Sequence, residues 1–220
     1  MRTSKSKQDF GREHCFLPRD RPGLERGINL LQKAGKQPVF QFLLASELEG
    51  ESTAVWIDTG NEASTYALNS FGTRDILEKV FVGRAFTPFQ HHRLVQELES
   101  FIDRDTDILV LPRITSLYIK GQLNGWEREE LFRETWNKIL RLQDKYGLKV
   151  LVSVPEDSGI GYMVSDDSEN TLTVEETGQG WKFGSGSFEQ LFYRENGSLQ
   201  TTMSYWRRKT RRKKLVKPKV

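Results

Sequence analysis

Short apolar runs alternate with helix-like segments along the middle of this chain. Four runs have the length and composition of buried strands: Val55 to Asp58, Val80 to Gly83, Ile108 to Leu111 and Lys149 to Val154. Consecutive parallel strands need a crossover, and a helix is its usual form. The pattern therefore predicts an α/β domain with a mostly parallel sheet, covered by helices on both faces.

The segments between these runs have helical periodicity. The clearest helix runs from Glu127 to Tyr146, and Gly147 is suited to end it. Pro88 suits the first turn of another helix that reaches about Ile102. Two shorter helices are predicted, from Glu62 to Asn69 and from Arg74 to Lys79.

The sequence changes character after the fourth run. Pro155 to Gly186 is rich in Gly, Ser, Asp and Glu, with only Thr171 to Val174 resembling a strand. We predict a long mobile loop there, at the carboxyl end of a parallel strand where ligands and partners commonly bind. Phe188 to Arg194 and Ser198 to Trp206 then flank an Asn-Gly pair, which predicts an antiparallel hairpin that closes the sheet.

Length and composition favour one core domain. We expect a flexible segment over 1–22, a core over 23–206 that includes the predicted loop at 155–186, and a disordered basic tail over 207–220. No apolar run approaches the roughly 20 residues of a membrane span, and the basic N-terminus has no apolar segment behind it. Cys15 is the single cysteine, which fits a reducing cytoplasmic location, with nucleoid association as an option.

The basic charge is concentrated at the C-terminus. The chain has a formal net charge of +3, yet its last 14 residues contain nine basic residues and no acid. Such a run is attracted to polyanions and gains free energy by releasing counterions from phosphates. We predict nonspecific DNA contact there, with a solubilising terminus or a targeting signal as alternatives. The nine residues are Arg207, Arg208, Lys209, Arg211, Arg212, Lys213, Lys214, Lys217 and Lys219.

Four motifs in order carry a resemblance to a known family. They are WIDTGN, ILEKVFVGRAFTPFQHHRLVQEL, DILVLPRITSLY and ETWNKILRLQDKYGLKVLVSV. Their order and spacing are similar to the core of the archaeal and eukaryal RecA-type recombinases, RadA and its RadB-like paralogues. The match spans about Gly23 to Val154. It implies a RecA-like fold and a place in DNA recombination or repair, with an unrelated parallel α/β domain as the alternative.

The chain departs from that family at the residues that handle ATP. A P-loop reads GxxxxGK followed by Ser or Thr. The corresponding stretch keeps only Gly35 and Lys36, with Leu30 at the leading glycine and Gln37 at the hydroxyl. The two acids of the family are replaced by Gly60 and Pro112. We therefore expect a degenerate member that lacks Walker A and Walker B residues, with no bound cofactor and no ATP hydrolysis.

Other candidate chemistry is sparse. His91 and His92 are neighbours on one helix and diverge by about 100°, which disfavours a shared metal. Four acids in the predicted loop could hold a hard cation, but a solvated acidic loop is the simpler interpretation. They are Asp157, Asp166, Asp167 and Glu169. Three aromatics could stack on bases, although packing in the core is favoured: Trp126, Trp181 and Phe183.

We expect a noncatalytic recombinase paralogue that binds DNA through its tail or associates with an active RecA-type recombinase. Asp58 is kept, and we expect it to end a strand rather than to perform chemistry. One alternative is a RecA-fold ATPase whose degenerate site still functions. Another is a scaffold or regulator that binds RNA or another polyanion.

Overall fold

The structure is a computed structural model. It describes residues 23–32, 39–48, 52–71, 75–120, 123–156, 158–178, 180–185, 188–195 and 198–201.

Nine strands form one sheet in the order β3-β2-β4-β5-β1-β6-β7-β8-β9. The first six are parallel to their neighbours, and β6 to β9 pair in antiparallel fashion. The predicted α/β class, the mostly parallel sheet and the closing antiparallel pair are confirmed. The strands are β1 Gly27–Gln32, β2 Thr53–Asp58, β3 Val80–Arg84, β4 Thr106–Leu111, β5 Lys149–Ser153, β6 Asn170–Thr177, β7 Gly180–Ser185, β8 Phe188–Glu195 and β9 Ser198–Thr201.

Helices lie on both faces of the sheet, so alternate strand residues are buried in different cores. One core packs α1 and α2 against residues such as Trp56 and Val110. The other packs α3, α4, α5 and α6 against residues such as Leu109 and Val150. The helices are α1 Val39–Glu47, α2 Thr65–Phe71, α3 Pro88–Glu97, α4 Ser116–Lys120, α5 Gly125–Tyr146 and α6 Tyr162–Asp166, with 3₁₀ turns at Ile76–Lys79 and Leu98–Phe101.

Helix α5 is the longest and has clear start and stop signals. Asn124 and Glu127 form a reciprocal capping box at its N-terminus. Gly147 ends the helix in the left-handed conformation with φ 65°, as predicted. The apolar face of α5 is buried through Phe132 and Trp136, which also confirms the predicted pattern.

Strand β1 occupies the middle of the sheet, between β5 and β6. Its start is held by Glu169, whose carboxylate accepts a hydrogen bond from the Ile28 amide at 2.6 Å. Gly27 has φ 101°, and a Cβ there would lie 1.7 Å from the Glu169 carboxylate. A glycine is therefore required where β1 meets the residues that lead into β6.

The predicted loop over Pro155 to Gly186 is wrong for most of its length. Helix α6 and strands β6 and β7 occupy this segment, so the sheet continues beyond the parallel core. Strand β6 alternates buried and exposed residues, with Leu172 and Val174 facing the core. The Thr and Glu residues of β6 lie on the solvent face of the strand, so they make the segment polar in composition. This polar composition hides the short alternation of buried and exposed residues.

No helix in the described ranges is long and apolar enough to cross a membrane.

Candidate functional site

In open parallel α/β sheets, ligands usually bind at the carboxyl ends of the strands. Strand β1 continues through Gln32, and both Leu30 and Leu31 are buried within it. The position at which the resemblance places the leading P-loop glycine is therefore a core position inside a strand. Gly35 and Lys36, the remnant identified in the sequence, lie outside the described residues.

Asp58 ends β2 and is completely buried. Its carboxylate accepts hydrogen bonds from the backbone amides of Gly60, Glu62 and Ala63, at 3.2, 2.9 and 3.3 Å. The same carboxylate lies 3.3 Å from Nε of Arg84, at the end of β3. Three amide hydrogen bonds and this ion pair satisfy the carboxylate, so Asp58 shapes the loop after β2.

Gly60 stands where the resemblance places the first catalytic acid. A Cβ at Gly60 would have ordinary contacts, at 3.4 Å from Cγ of Glu62 and 3.6 Å from Cδ of Arg113. The backbone therefore has room for a side chain at position 60. The fold does not require a glycine there, so the lack of a carboxylate is a property of the sequence and not of the packing. Side chains of both signs lie beside this position, since the Glu62 carboxylate and the Arg113 side chain are each 3.6 Å from that Cβ.

Pro112 stands where the resemblance places the second acid, directly after β4. Its carbonyl accepts a hydrogen bond from the Thr59 hydroxyl at 2.9 Å. The next residue, Arg113, has φ 50° and donates its backbone N–H to the Ser153 hydroxyl at 2.9 Å. The ends of β2, β4 and β5 are thus tied together by their own hydroxyl and backbone groups.

These hydroxyls were missed in the sequence analysis. Both Thr59 and Ser153 are buried. Thr59 directly follows β2 and Ser153 ends β5, and these positions would have identified them as candidates to hydrogen-bond to the end of a neighbouring strand. Their hydrogen bonds connect the ends of β2, β4 and β5. Among the residues described here, Asp58 is the acid at these strand ends, and its carboxylate is held by the loop after β2 and by Arg84.

A cavity of about 330 Å³ opens at the carboxyl ends of β1 and β5. Ten residues line it, and none of these described residues is Lys or Arg, whereas Glu156 contributes a carboxylate. A phosphate held here would have no side-chain cation among them and would be repelled by Glu156. The lining residues are Leu30, Leu31, Gln32, Val154, Pro155, Glu156, Ser158, Gly161, Tyr162 and Ser165.

His91 and His92 contact two hydroxyl groups that lie 3.0 Å apart, so both imidazoles belong to one hydrogen-bond network. His91 is completely buried and its Nδ1 lies 2.8 Å from the Tyr118 hydroxyl. His92 is partly buried, with its Nδ1 2.9 Å from the Thr135 hydroxyl. Burial, together with the nearby His92, lowers the pKa of His91 to about 3. Both histidines thus take part in packing between α3 and its neighbouring helices.

Two of the four acids considered as cation ligands have structural partners. Asp167 accepts a hydrogen bond from the Trp136 indole at 2.7 Å, and Glu169 holds the start of β1. Asp157 lies outside the described residues. Within the parts of the chain that the structure covers, no group of three or more His, Cys, Asp or Glu residues is placed to hold a metal ion.

The three aromatics named as possible stacking residues have different environments. Trp126 is 74% exposed at the start of α5, so it is available to a ligand or partner. Phe183 is buried in the core, and Trp181 packs against the same core. The packing interpretation is therefore right for Phe183 and Trp181.

The nine basic residues from Arg207 to Lys219 and Cys15 lie outside the described residues, so the predicted DNA contact stays a prediction. Comparison with known proteins adds no relative: no protein-family model matches this chain, and no curated protein matches it.

Proposed function

We propose that this protein is a noncatalytic RecA-type recombinase paralogue that serves as an accessory factor in DNA recombination or repair. It contacts DNA nonspecifically through the tail Arg207–Lys219 and associates with an active RecA-type recombinase. The observation that carries the proposal is the closed carboxyl edge of the sheet around Asp58.

Phosphoryl transfer depends on a phosphate cradle, a metal site and a positioned water. Here Leu30 is buried inside β1, Asp58 is committed to three backbone amides and Arg84, and Pro112 is tied to Thr59. The strand ends that would perform catalysis in the resembled family instead hold one another. A parallel α/β scaffold kept without these groups fits a role in binding.

Equilibrium titration with a labelled ATP analogue in the presence of magnesium tests the catalytic part. We expect no saturable binding and no hydrolysis. A dissociation constant below about 1 mM would overturn this part. Lys36→Ala is the matched control: binding that this substitution abolishes would identify a degenerate site that still functions.

The DNA part rests on the nine cations of the tail. Binding should weaken steeply with salt, with a log–log slope of roughly −0.9 for each contacted phosphate on duplex DNA. Deletion of 207–220 should flatten that slope. A variant in which the five tail lysines become arginine keeps the charge, so it should bind DNA like the unaltered protein. Equal affinity and slope after the deletion would contradict a role for the tail.

Parallel titrations with DNA and RNA of the same length and sequence separate an accessory factor in recombination from an RNA-binding scaffold. Clear preference for RNA would favour the scaffold.

Association with a recombinase is tested by affinity capture from the native host, with and without nuclease. A recombinase retained after nuclease treatment supports direct contact, whereas its loss indicates that DNA bridges the two proteins.

A further inference from the structure

Strand β3 is an edge of the nine-stranded sheet, and it is unusually apolar for an edge. Its one neighbour among the described strands is β2. Phe81 and Val82 are 51% and 47% exposed, on opposite faces of the strand. Natural edges are usually protected by charges, prolines or bulges. β3 contains neither Pro nor a bulge, and its one charged residue, Arg84, is paired with Asp58.

The surroundings of β3 add further apolar surface. Nine large hydrophobic side chains are exposed among the described residues, and five of them lie between 77 and 89. Phe81, Phe86 and Phe89 each expose more than half of their surface. At about 200 Å² per Phe these three expose roughly 370 Å². That is close to half of the ~800 Å² that each partner contributes to a standard interface. The remaining two are Leu77 and Val82.

The hydrogen bonds to β2 define which backbone groups of β3 face outward. The Ala85 amide donates to the Asp58 carbonyl at 3.0 Å, so Ala85 directs its backbone groups toward β2. Successive residues of a strand direct these groups to opposite sides. Val80, Val82 and Arg84 therefore present their N–H and C=O groups at the open edge.

Nothing among the described residues explains why position 83 is a glycine. It has no positive φ, and an added Cβ would lie 3.8 Å from Leu94, an ordinary contact. Glycine weakens a strand, and it often marks a place where another chain approaches closely. Gly83 and Phe81 lie on the same face, two residues apart.

We propose that two copies of this chain pair through antiparallel β3 strands about a two-fold axis at Val82. In this register Val82 faces Val82 of the second copy, and Val80 faces Arg84, all as hydrogen-bonded pairs. Phe81 then faces Gly83 in the closer, non-hydrogen-bonded pairing, so the ring covers the glycine on the other strand. The edge is self-complementary, as a two-fold interface requires.

Disulfide trapping tests the register directly. In a Cys15→Ser background, Val82→Cys places two cysteines opposite each other at a Cα–Cα distance of about 5.5 Å, within the range of a disulfide. With oxidised glutathione as the oxidant we expect a covalent dimer. Val80→Cys is the matched control, because its two copies would lie about 14 Å apart. Equal crosslinking of both variants would overturn the register.

Analytical ultracentrifugation of the full chain across a dilution series tests the dimer itself. We expect Val82→Lys to raise the dimer dissociation constant at least about tenfold, because it places like charges opposite each other. Phe101→Lys, which also replaces an exposed apolar residue, should leave dimerisation unchanged. A monomer at every concentration, or a dimer that Val82→Lys does not weaken, would overturn the proposal.

Gly83→Val separates dimerisation from folding. The valine favours the strand conformation, so the monomer should remain folded by circular dichroism. It also occupies the space that Phe81 of the second copy would fill, so dimerisation should weaken. An unchanged dimer dissociation constant would contradict the Phe81–Gly83 contact. These outcomes do not depend on ATP or DNA binding.

Discussion

Nδ1 of His91 lies 2.8 Å from the hydroxyl oxygen of Tyr118, in a site between α3, α4 and α5 that excludes solvent. The Tyr118 hydroxyl also lies 3.0 Å from the Thr135 hydroxyl, which donates to the Leu131 carbonyl. Nε2 of His91 has no hydrogen-bond partner among the described residues. Tyr118 is therefore the one described partner of the buried imidazole.

Tyr118→Phe should destabilise the protein by about 1–3 kcal/mol in urea unfolding, because it keeps the ring but leaves both His91 nitrogens unpaired. Tyr66→Phe, at an 82% exposed residue, is the control and should change the unfolding free energy by less than about 0.5 kcal/mol. The double variant His91→Leu with Tyr118→Phe should recover part of the loss, because it removes the buried polar group. If the double variant loses as much unfolding free energy as the two single substitutions together, His91 and Tyr118 are not directly coupled.

Stability should fall between pH 6.5 and pH 5. The pKa of His91 is lowered to about 3 by burial, so in this range the unfolded chain binds more protons than the native protein. The unfolding free energy should decrease by up to about 1.4 kcal/mol per pH unit as pH falls through this window. The double variant without His91 should lose this slope. The carboxyl of Glu99, whose pKa is lowered to about 2 by Lys145 and Lys138, titrates below this window.

Gly27→Ala should destabilise the protein by more than about 2 kcal/mol, measured by thermal or chemical unfolding. The alanine would be strained at φ 101°, and its Cβ would collide with the carboxylate of Glu169. Gly125→Ala is the matched control, because no atom lies within 4 Å of its added Cβ. An equal response of both variants would contradict the close approach of Glu169 to β1.

Asp58→Ala should destabilise the protein by about 1–3 kcal/mol, because it leaves three partly buried amide donors and Arg84 without their acceptor. Asp58→Asn keeps an oxygen acceptor and should cost less. Chemical unfolding of the two variants gives the comparison, with the exposed Asp107→Ala as a control. A small loss for Asp58→Ala would indicate that the carboxylate is not needed to hold the loop after β2.

The sequence alone determined the parallel core. The runs at β2, β3, β4 and β5 are continuous and apolar because these strands contact helices, and three of them are buried on both faces. The stripe on α5 and its stop at Gly147 are equally local signals. The lack of an acid at positions 60 and 112 was visible in the same way, since it concerns residue identity alone.

Tertiary structure decided the position of β1, the strands β6 and β7, and the state of the candidate site. β1 and β6 pair with each other across about 140 residues of sequence. Local periodicity does not predict a contact of this sequence separation. Asp58 is satisfied by amides of its own loop and by Arg84 from another strand. The open edge at β3 likewise depends on the order of strands in the sheet, because only pairing determines which backbone groups remain exposed.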